Sequence, residues 1–186
     1  MNPLYIVPTP IGNLEDITIR SLNILKNSNL ILCEDTRRTS ILLNHYSIKK
    51  KLVSFNKDNE NKKTDKILEL LETNIISLVS DAGTPTVSDP GSKLVRKLIE
   101  EGIEVIPLPG ASSITTAFSA SGLDGDFIFA GFLPKNENDL KKNLLKLNEI
   151  KKNIIIFESP KRITKFLEIS RKIFTDSNLI IFKELT

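Results

Sequence analysis

The run Ile75-Ile76-Ser77-Leu78-Val79, followed at once by Ser80-Asp81-Ala82-Gly83-Thr84-Pro85, decides the fold. Five residues dominated by apolar and β-branched side chains, closed by a loop of Gly and Pro, read as a strand that is apolar on both faces. Beyond the loop, Leu94, Val95, Leu98 and Ile99 recur at helical spacing, with Asp89 as expected N-cap, Pro90 as expected first helical residue and Gly102 as stop. Ahead of the run, Ile67, Leu68, Leu70 and Leu71 mark one face of another helix. Helix, doubly apolar strand and helix in succession are the building unit of a parallel sheet covered on both sides.

The same rhythm extends in both directions. Runs at 4–7, 30–33, 52–55 and 104–106 repeat the strand pattern with helical stretches between them, so residues 1–121 read as an open α/β domain closed by a small-residue helix at 112–121. A break at 122–126 opens a second, thinner unit, 122–186. It is expected to hold a strand at 127–132, a Lys-rich helix over 137–147, a strand at 153–157, a helix after Pro160 and a strand at 179–182.

Ligands of open α/β sheets bind beyond the carboxyl ends of the strands, so the loops there carry the functional argument. Four stand out: Pro8-Thr9-Pro10-Ile11-Gly12-Asn13, Glu34-Asp35-Thr36-Arg37-Arg38, Ser80 to Pro85, and Pro109-Gly110-Ala111-Ser112-Ser113. Gly and Pro let a backbone approach a ligand and hold the loop in place, while Ser, Thr and Asp supply oriented hydrogen bonds. Any one of them could be an ordinary βα turn; four on one sheet edge point to a shared site. Arg37 and Arg38, side by side at an expected helix start, oppose the helix dipole and so favour an external anion such as phosphate.

Composition removes several chemistries. One cysteine, Cys33, and one histidine, His45, leave no disulfide, no Cys-based zinc cluster and no His-rich metal site. Cys33 is expected to be a buried strand residue beside the site. There is no G-x-G-x-x-G after the first strand, no Walker A sequence and no G-x-S-x-G elbow. Asp35, Asp81 and Asp89 could in principle gather around Mg²⁺, which keeps a metal-dependent phosphohydrolase open as a third reading, although the expected metal count is none. No apolar run approaches the roughly 20 residues of a membrane span and no basic leader precedes the first strand, so a cytoplasmic protein is expected. The net charge is only +3, but residues 134–186 carry 12 basic and 7 acidic side chains, so the basicity lies in the last third. With 6% aromatics and no Trp, any contact with RNA would rest on charge and shape more than on base stacking.

Together these loops resemble a known family. Pro8 to Thr18, Glu34-Asp35-Thr36-Arg37, Ser80 to Pro85 and Ser88-Asp89-Pro90-Gly91 look like the ribosomal RNA small subunit methyltransferase I group. Pro107 to Ser112, Gly131-Phe132-Leu133-Pro134, Glu158-Ser159-Pro160 and Lys183-Glu184-Leu185-Thr186 continue the resemblance in order along the whole chain. Departures are Lys161-Arg162, where the group usually shows His-Arg, and Asn56-Lys57-Asp58 in place of a more His-rich stretch.

The resemblance implies a tetrapyrrole-methylase-like fold of two α/β domains with S-adenosyl-L-methionine in the cleft between them. The group continues past the last block, which implies a second domain cut short at Thr186. It further implies 2′-O-methylation of a cytidine in 16S rRNA of the small ribosomal subunit by a homodimer, with no DNA or membrane partner. On this reading Pro10, Gly12, Asn13, Asp81, Ala82, Gly83, Thr84, Pro85, Ala111, Ser112 and Ser113 hold the cofactor. Glu34 or Asp35 assists the 2′-hydroxyl, with Glu158 and Glu184 as rivals, and Arg37, Arg38, Lys161 and Arg162 contact RNA. A methyltransferase of the same fold acting on a small tetrapyrrole is the second reading, weakened by the Arg37-Arg38 pair.

Overall fold

The computed structural model describes residues 1–186. The chain divides into two compact units, Met1–Ser113 with Glu184–Thr186, and Ile114–Lys183. The division falls at Ser113/Ile114, where composition places the change at 121/122.

The first unit is built on five parallel strands, β1 (Leu4–Ile6), β2 (Leu30–Cys33), β3 (Lys51–Ser54), β4 (Ile76–Leu78) and β5 (Val105–Pro107), in the order β3-β2-β4-β1-β5. Helices α1 (Ile19–Asn27) and α2 (Thr36–His45) carry the chain from β1 outward to β3, while α3 (Glu60–Leu71) and α4 (Ser92–Glu100) bring it back to β5. Right-handed crossovers travelling in opposite directions along a sheet must lie on opposite faces. The packing follows that rule. Leu4, Ile6, Leu30, Leu32, Ile76 and Leu78 bury one sheet face under Ile67 and Leu71 of α3 and Leu94 and Leu98 of α4. The alternate residues Val7, Ile31, Cys33 and Val79 bury the other face against Leu25 of α1 and Leu43 of α2. Both faces are thus apolar, which is why these strands read as continuous apolar runs. Leu78 is 1% exposed, and its truncation to Ala would cost about 2–5 kcal/mol in a core this closed.

The second unit contains α5 (Ser113–Ala120, from Ile114 onward), β6 (Phe127–Phe132), α6 (Glu137–Ile150), β7 (Asn153–Phe157) and α7 (Ile163–Ile173). β6 and β7 pair in parallel, and Leu140, Leu144, Phe166 and Ile169 of the two long helices form its core with Leu133. The expected strand at 179–182 is not one: these residues pair with nothing, and Leu179, Ile180 and Ile181 are exposed. Apolar content makes a strand only where a neighbouring strand accepts its hydrogen bonds.

Two expectations about helix starts also fail. α4 begins at Ser92, not Pro90, and its N-cap is Gly91, whose φ of +121° no β-carbon would favour. Asp89 therefore lies before the cap. α2, by contrast, begins at Thr36 with Asp35 as its N-cap, so Arg37 and Arg38 stand at a helix start as expected.

Candidate functional site

β1 and β4 lie side by side at the centre of the five-stranded sheet, and their connections leave in opposite directions on opposite faces. This is the topological switch point, where a crevice opens at the carboxyl ends of the strands. The loops after both strands are joined there. Thr9 and Gly83 exchange backbone hydrogen bonds, N–H to O at 2.9 Å in each direction, and the Thr9 hydroxyl donates to the Ser80 carbonyl at 3.1 Å. Gly83 has φ +82°, and a β-carbon on it would stand 3.3 Å from Ile11 Cγ2. The loop after β5 joins the same assembly: the Thr84 hydroxyl donates to Ala111 O at 3.2 Å, and a β-carbon on Gly110 would meet Pro8 Cβ at 2.7 Å. The loop after β2 completes it, with the Asp35 N–H donating to Asp81 Oδ1 at 3.1 Å.

The structure therefore brings together the expected residues Pro10, Asp81, Ala82, Gly83, Thr84, Pro85, Ala111 and Ser112 with Glu34, Asp35, Arg37 and Arg38 on one sheet edge, Ser113 starting α5 beside them. Within this assembly the backbone N–H groups of Ala82, Thr84 and Ala111 make no hydrogen bond to the rest of the chain. Asn13 caps a short 3₁₀ turn (Leu14–Asp16) by accepting from Glu15 N–H, and its own N–H donates to the Thr186 hydroxyl at 3.0 Å. That hydroxyl also occupies the space a side chain on Gly12 would need. Glu184, in the segment that joins this unit, is exposed with φ +52°.

The two adjacent carboxylates after β2 differ in kind. Asp35 caps α2 by accepting from Arg37 N–H at 2.9 Å, and the Arg37 guanidinium returns to it bidentately, Nε to Oδ1 at 3.0 Å and Nη2 to Oδ2 at 2.7 Å. The Arg37 side chain, followed by that backbone bond, holds the Asp35 carboxyl down to about 2. Glu34 is half-buried and enters no hydrogen bond or ion pair. Burial first, then the charges of Asp81 and Asp89, push its pKa up, with Lys57 and Arg38 pulling back. Asp89 is raised as well, by burial and then by Asp81 against the pull of Lys57. Cys33 is fully buried, as expected, and burial pushes its thiol up, away from the thiolate that a nucleophile requires.

Arg37 and Arg38, expected to meet an external anion, also have acidic neighbours within the chain. Arg37 is paired with Asp35, and Arg38 Nε lies 3.6 Å from Asp81 Oδ2. Both guanidinium groups remain well exposed, at 88% and 66% of the side chain, so each can turn to a second anion.

In the second unit, Glu158 and Arg162 form a closed cluster. Arg162 Nη2 donates to Glu158 Oε2 at 2.8 Å and reaches the carbonyls of Leu133 at 3.2 Å and Pro134 at 3.4 Å, while Glu158 Oε1 accepts from Ser159 N–H at 2.6 Å. This joins the loop after β6 to the start of α7. Lys161 is exposed beside it and bonds the Ser159 hydroxyl only through its backbone N–H, at 3.3 Å.

No group of three or more His, Cys, Asp or Glu side chains is placed to hold a metal ion. Of the three aspartates considered for Mg²⁺, Asp35 is taken by Arg37 and Asp81 by the Asp35 N–H and Arg38. Sequence reasoning missed Glu60, which is 5% exposed and caps α4 from α3, and Thr86, whose φ is +71°. Neither carries a local signal, since the first acts across 31 residues and the second is a β-branched residue in a conformation it avoids.

Residues 3–186 match the family model described as Tetrapyrrole (Corrin/Porphyrin) Methylases. Among curated proteins, the chain is 50% identical over its whole length to the "Ribosomal RNA small subunit methyltransferase I" of Thermotoga maritima, covering 84% of that protein. It is 43% identical to the protein of the same name from Bacillus subtilis, again over its whole length but covering 64% of that relative. Solved structures of similar fold include a diphthine synthase, with TM-score 0.72 and 15% identity over 94% of this chain and 72% of that one. The cobalamin biosynthetic enzyme cobalt precorrin-4 methyltransferase follows at TM-score 0.66 and 17% identity, over 92% and 74%.

Proposed function

The chain belongs to the tetrapyrrole methylase family and stands within it beside the ribosomal RNA small subunit methyltransferases I, and on that premise we propose that it transfers a methyl group from S-adenosylmethionine to the 2′-hydroxyl of a cytidine in small-subunit rRNA. The chain spans 84% of the Thermotoga relative and just under two thirds of the Bacillus one. The observation that carries the reading is Glu34, an unpaired carboxylate of raised pKa at the meeting point of four strand-end loops.

The loop assembly fits the cofactor. Its free N–H groups at Ala82, Thr84 and Ala111 are donors for the polar edge of an adenosyl group or the carboxylate of a methionyl group. Pro10, Asp81, Gly83, Pro85, Ser112 and Ser113 are the proposed surroundings of those donors, while Gly12 and Asn13, which meet Thr186, would have to release it to contribute. Bound there, S-adenosylmethionine supplies a methyl group already electrophilic on its sulfonium sulfur. The chain then has two tasks: to hold the ribose oxygen in line and to take its proton.

Glu34 is the proposed proton acceptor. In that role the Glu34 carboxylate would accept the 2′-hydroxyl proton as the ribose oxygen takes the methyl group, the sulfonium of the held cofactor being the donor that would be left as a neutral thioether. A raised pKa suits this role because the carboxylate is then a stronger base, closer to operating pH. Asp35 is a poor base because Arg37 holds its charge, and Glu158 is occupied by Arg162 and the Ser159 N–H. Glu184 stays a rival. Arg37, Arg38 and Lys161 are the proposed phosphate contacts, with Arg162 shaping the loop beside Lys161. The partner is 16S rRNA in the small ribosomal subunit, with the protein acting as a homodimer in the cytoplasm. No helix is long and apolar enough to cross a membrane.

The test is methyl transfer from labelled S-adenosylmethionine to small subunits from a strain lacking the corresponding enzyme. Label on one cytidine ribose is the expected result. No label on RNA together with label on a tetrapyrrole would move the chain to the second reading.

A further inference from the structure

Glu60 is a buried carboxylate that no cation accompanies. It is 5% exposed, it appears in no ion pair, and its Oε1 accepts three backbone N–H groups: Gly91 at 3.1 Å, Lys93 at 3.1 Å and Leu94 at 3.4 Å. These are donors at the start of α4, whose own N-cap, Gly91, has no side chain to offer. A cap supplied from another helix neutralises orphan N–H groups and places a negative charge at the positive end of the helix dipole.

What this cap fixes is the far end of the loop that follows β4. Gly91 is held at φ +121° with its missing β-carbon directed at Leu78 Cδ2, 2.6 Å away, and at Thr86 Cγ2, 3.0 Å away. Thr86 in turn sits at φ +71°, a left-handed conformation that costs a β-branched residue free energy and persists only where its surroundings impose it. The near end is fixed by the Thr9–Gly83 exchange and by Thr84 on Ala111. Loop 80–91 is therefore clamped at both ends around a strained residue, and the unbonded N–H groups of Ala82 and Thr84 flank Gly83 at the near clamp.

We propose that Glu60 is a positioning residue for this loop: acting through the N-terminus of α4, it holds the backbone of 80–91 in the conformation that presents the Ala82 and Thr84 N–H groups to the cofactor. The inference rests on the reading of these loops as the S-adenosylmethionine site. Glu60 touches neither cofactor nor substrate; its effect is to keep the donors in place before binding, so that ordering the loop is not charged to the affinity.

The test measures S-adenosylmethionine affinity by calorimetry and the folding midpoint of the free protein, for wild type and for Glu60→Ala, Glu60→Gln and Glu60→Asp. Glu60→Ala is expected to weaken the cofactor about tenfold or more in protein that is still folded at the assay temperature. Glu60→Gln, whose amide oxygen can accept the same N–H groups, is expected to stay within about threefold of wild type. If Glu60→Ala does not fold, Glu60→Asp carries the test, because its shorter side chain withdraws the oxygen from the α4 N-terminus; it should weaken the cofactor several-fold. A folded Glu60→Ala or Glu60→Asp protein with wild-type affinity overturns the proposal and leaves Glu60 a helix cap alone. Failure of the wild type itself to bind S-adenosylmethionine would instead overturn the functional reading on which the proposal stands.

Discussion

Glu34 and Glu158 occupy the same kind of place, each being the first residue after a parallel strand, β2 in one unit and β7 in the other, yet their carboxylates are in opposite states. Glu158 is 5% exposed and saturated: Arg162 stands 2.8 Å from one oxygen and the Ser159 N–H 2.6 Å from the other. Glu34 has no partner, and burial with Asp81 and Asp89 nearby raises its pKa. The nearest arginines account for the difference. After β7 the guanidinium four residues on turns back to the strand end, whereas after β2 Arg37 and Arg38 turn to Asp35 and Asp81. A carboxylate at a strand end is thus saturated or left open by where the neighbouring guanidinium groups point.

The largest expected effect breaks this comparison on the Glu34 side. Glu34→Gln should lower the methyl-transfer rate by about 10²–10⁴-fold, the usual worth of a positioned acid or base, with cofactor affinity unchanged by calorimetry. Its folded state should not suffer. A carboxyl with a raised folded pKa contributes stability below its unfolded value, and that contribution is lost as pH rises through the folded value, so above the folded value Glu34 is a liability that Gln removes. A drop in folding midpoint for Glu34→Gln would mean that an unseen partner holds the group.

Next in size is Gly83→Val. Valine at φ +82° is strained by about 1–3 kcal/mol and its branches would enter the space of Ile11, so the Thr9–Gly83 exchange should fail. Cofactor affinity should fall about 100-fold, while circular dichroism shows the helices intact. Unchanged affinity would place the cofactor elsewhere.

On the other side of the comparison, Arg162→Ala should destabilise the second unit by about 2–3 kcal/mol, less than a fully buried pair because the guanidinium is 27% exposed. Denaturant unfolding measures it, and S-adenosylmethionine affinity should not move. The smallest effect concerns Arg37→Ala/Arg38→Ala, which should lower the salt dependence of binding to small subunits by up to about two phosphate contacts. Without Arg37 the Asp35 carboxyl should also rise from about 2 toward the ordinary range, as followed by NMR titration. Because a depressed carboxyl stabilises above its unfolded value and ceases to do so as pH falls through its folded one, the double variant should lose acid resistance between roughly pH 4 and 2. Equal salt slopes for both proteins would confine the two arginines to their internal pairs.

Much of this was legible in the sequence because the decisive pattern is local. β2, β6 and β7 are bounded as the apolar runs predict, since each strand's own side chains fill the core on at least one face. Four loops rich in Gly, Pro, Ser and Asp announced a shared edge, and the structure ties them together. What the sequence concealed is what depends on partners far away in the chain. The start of α4 was misplaced because its cap comes from Glu60 rather than Asp89, and 179–182 looked like a strand although no strand lies beside it. The contrast between Glu34 and Asp35 was hidden too, because adjacency does not reveal which carboxylate Arg37 chooses.

The most direct test is the pH dependence of methyl transfer to small subunits lacking the modification, measured for wild type, Glu34→Gln and Glu158→Gln. The wild-type rate should fall on the acid side with an apparent pKa above the ordinary glutamate range, and Glu158→Gln should keep that limb wherever it remains folded. Glu34→Gln should retain only a slow rate on which that limb is absent. A limb of the same position and height in Glu34→Gln as in wild type would contradict the assignment and pass the proton to another group.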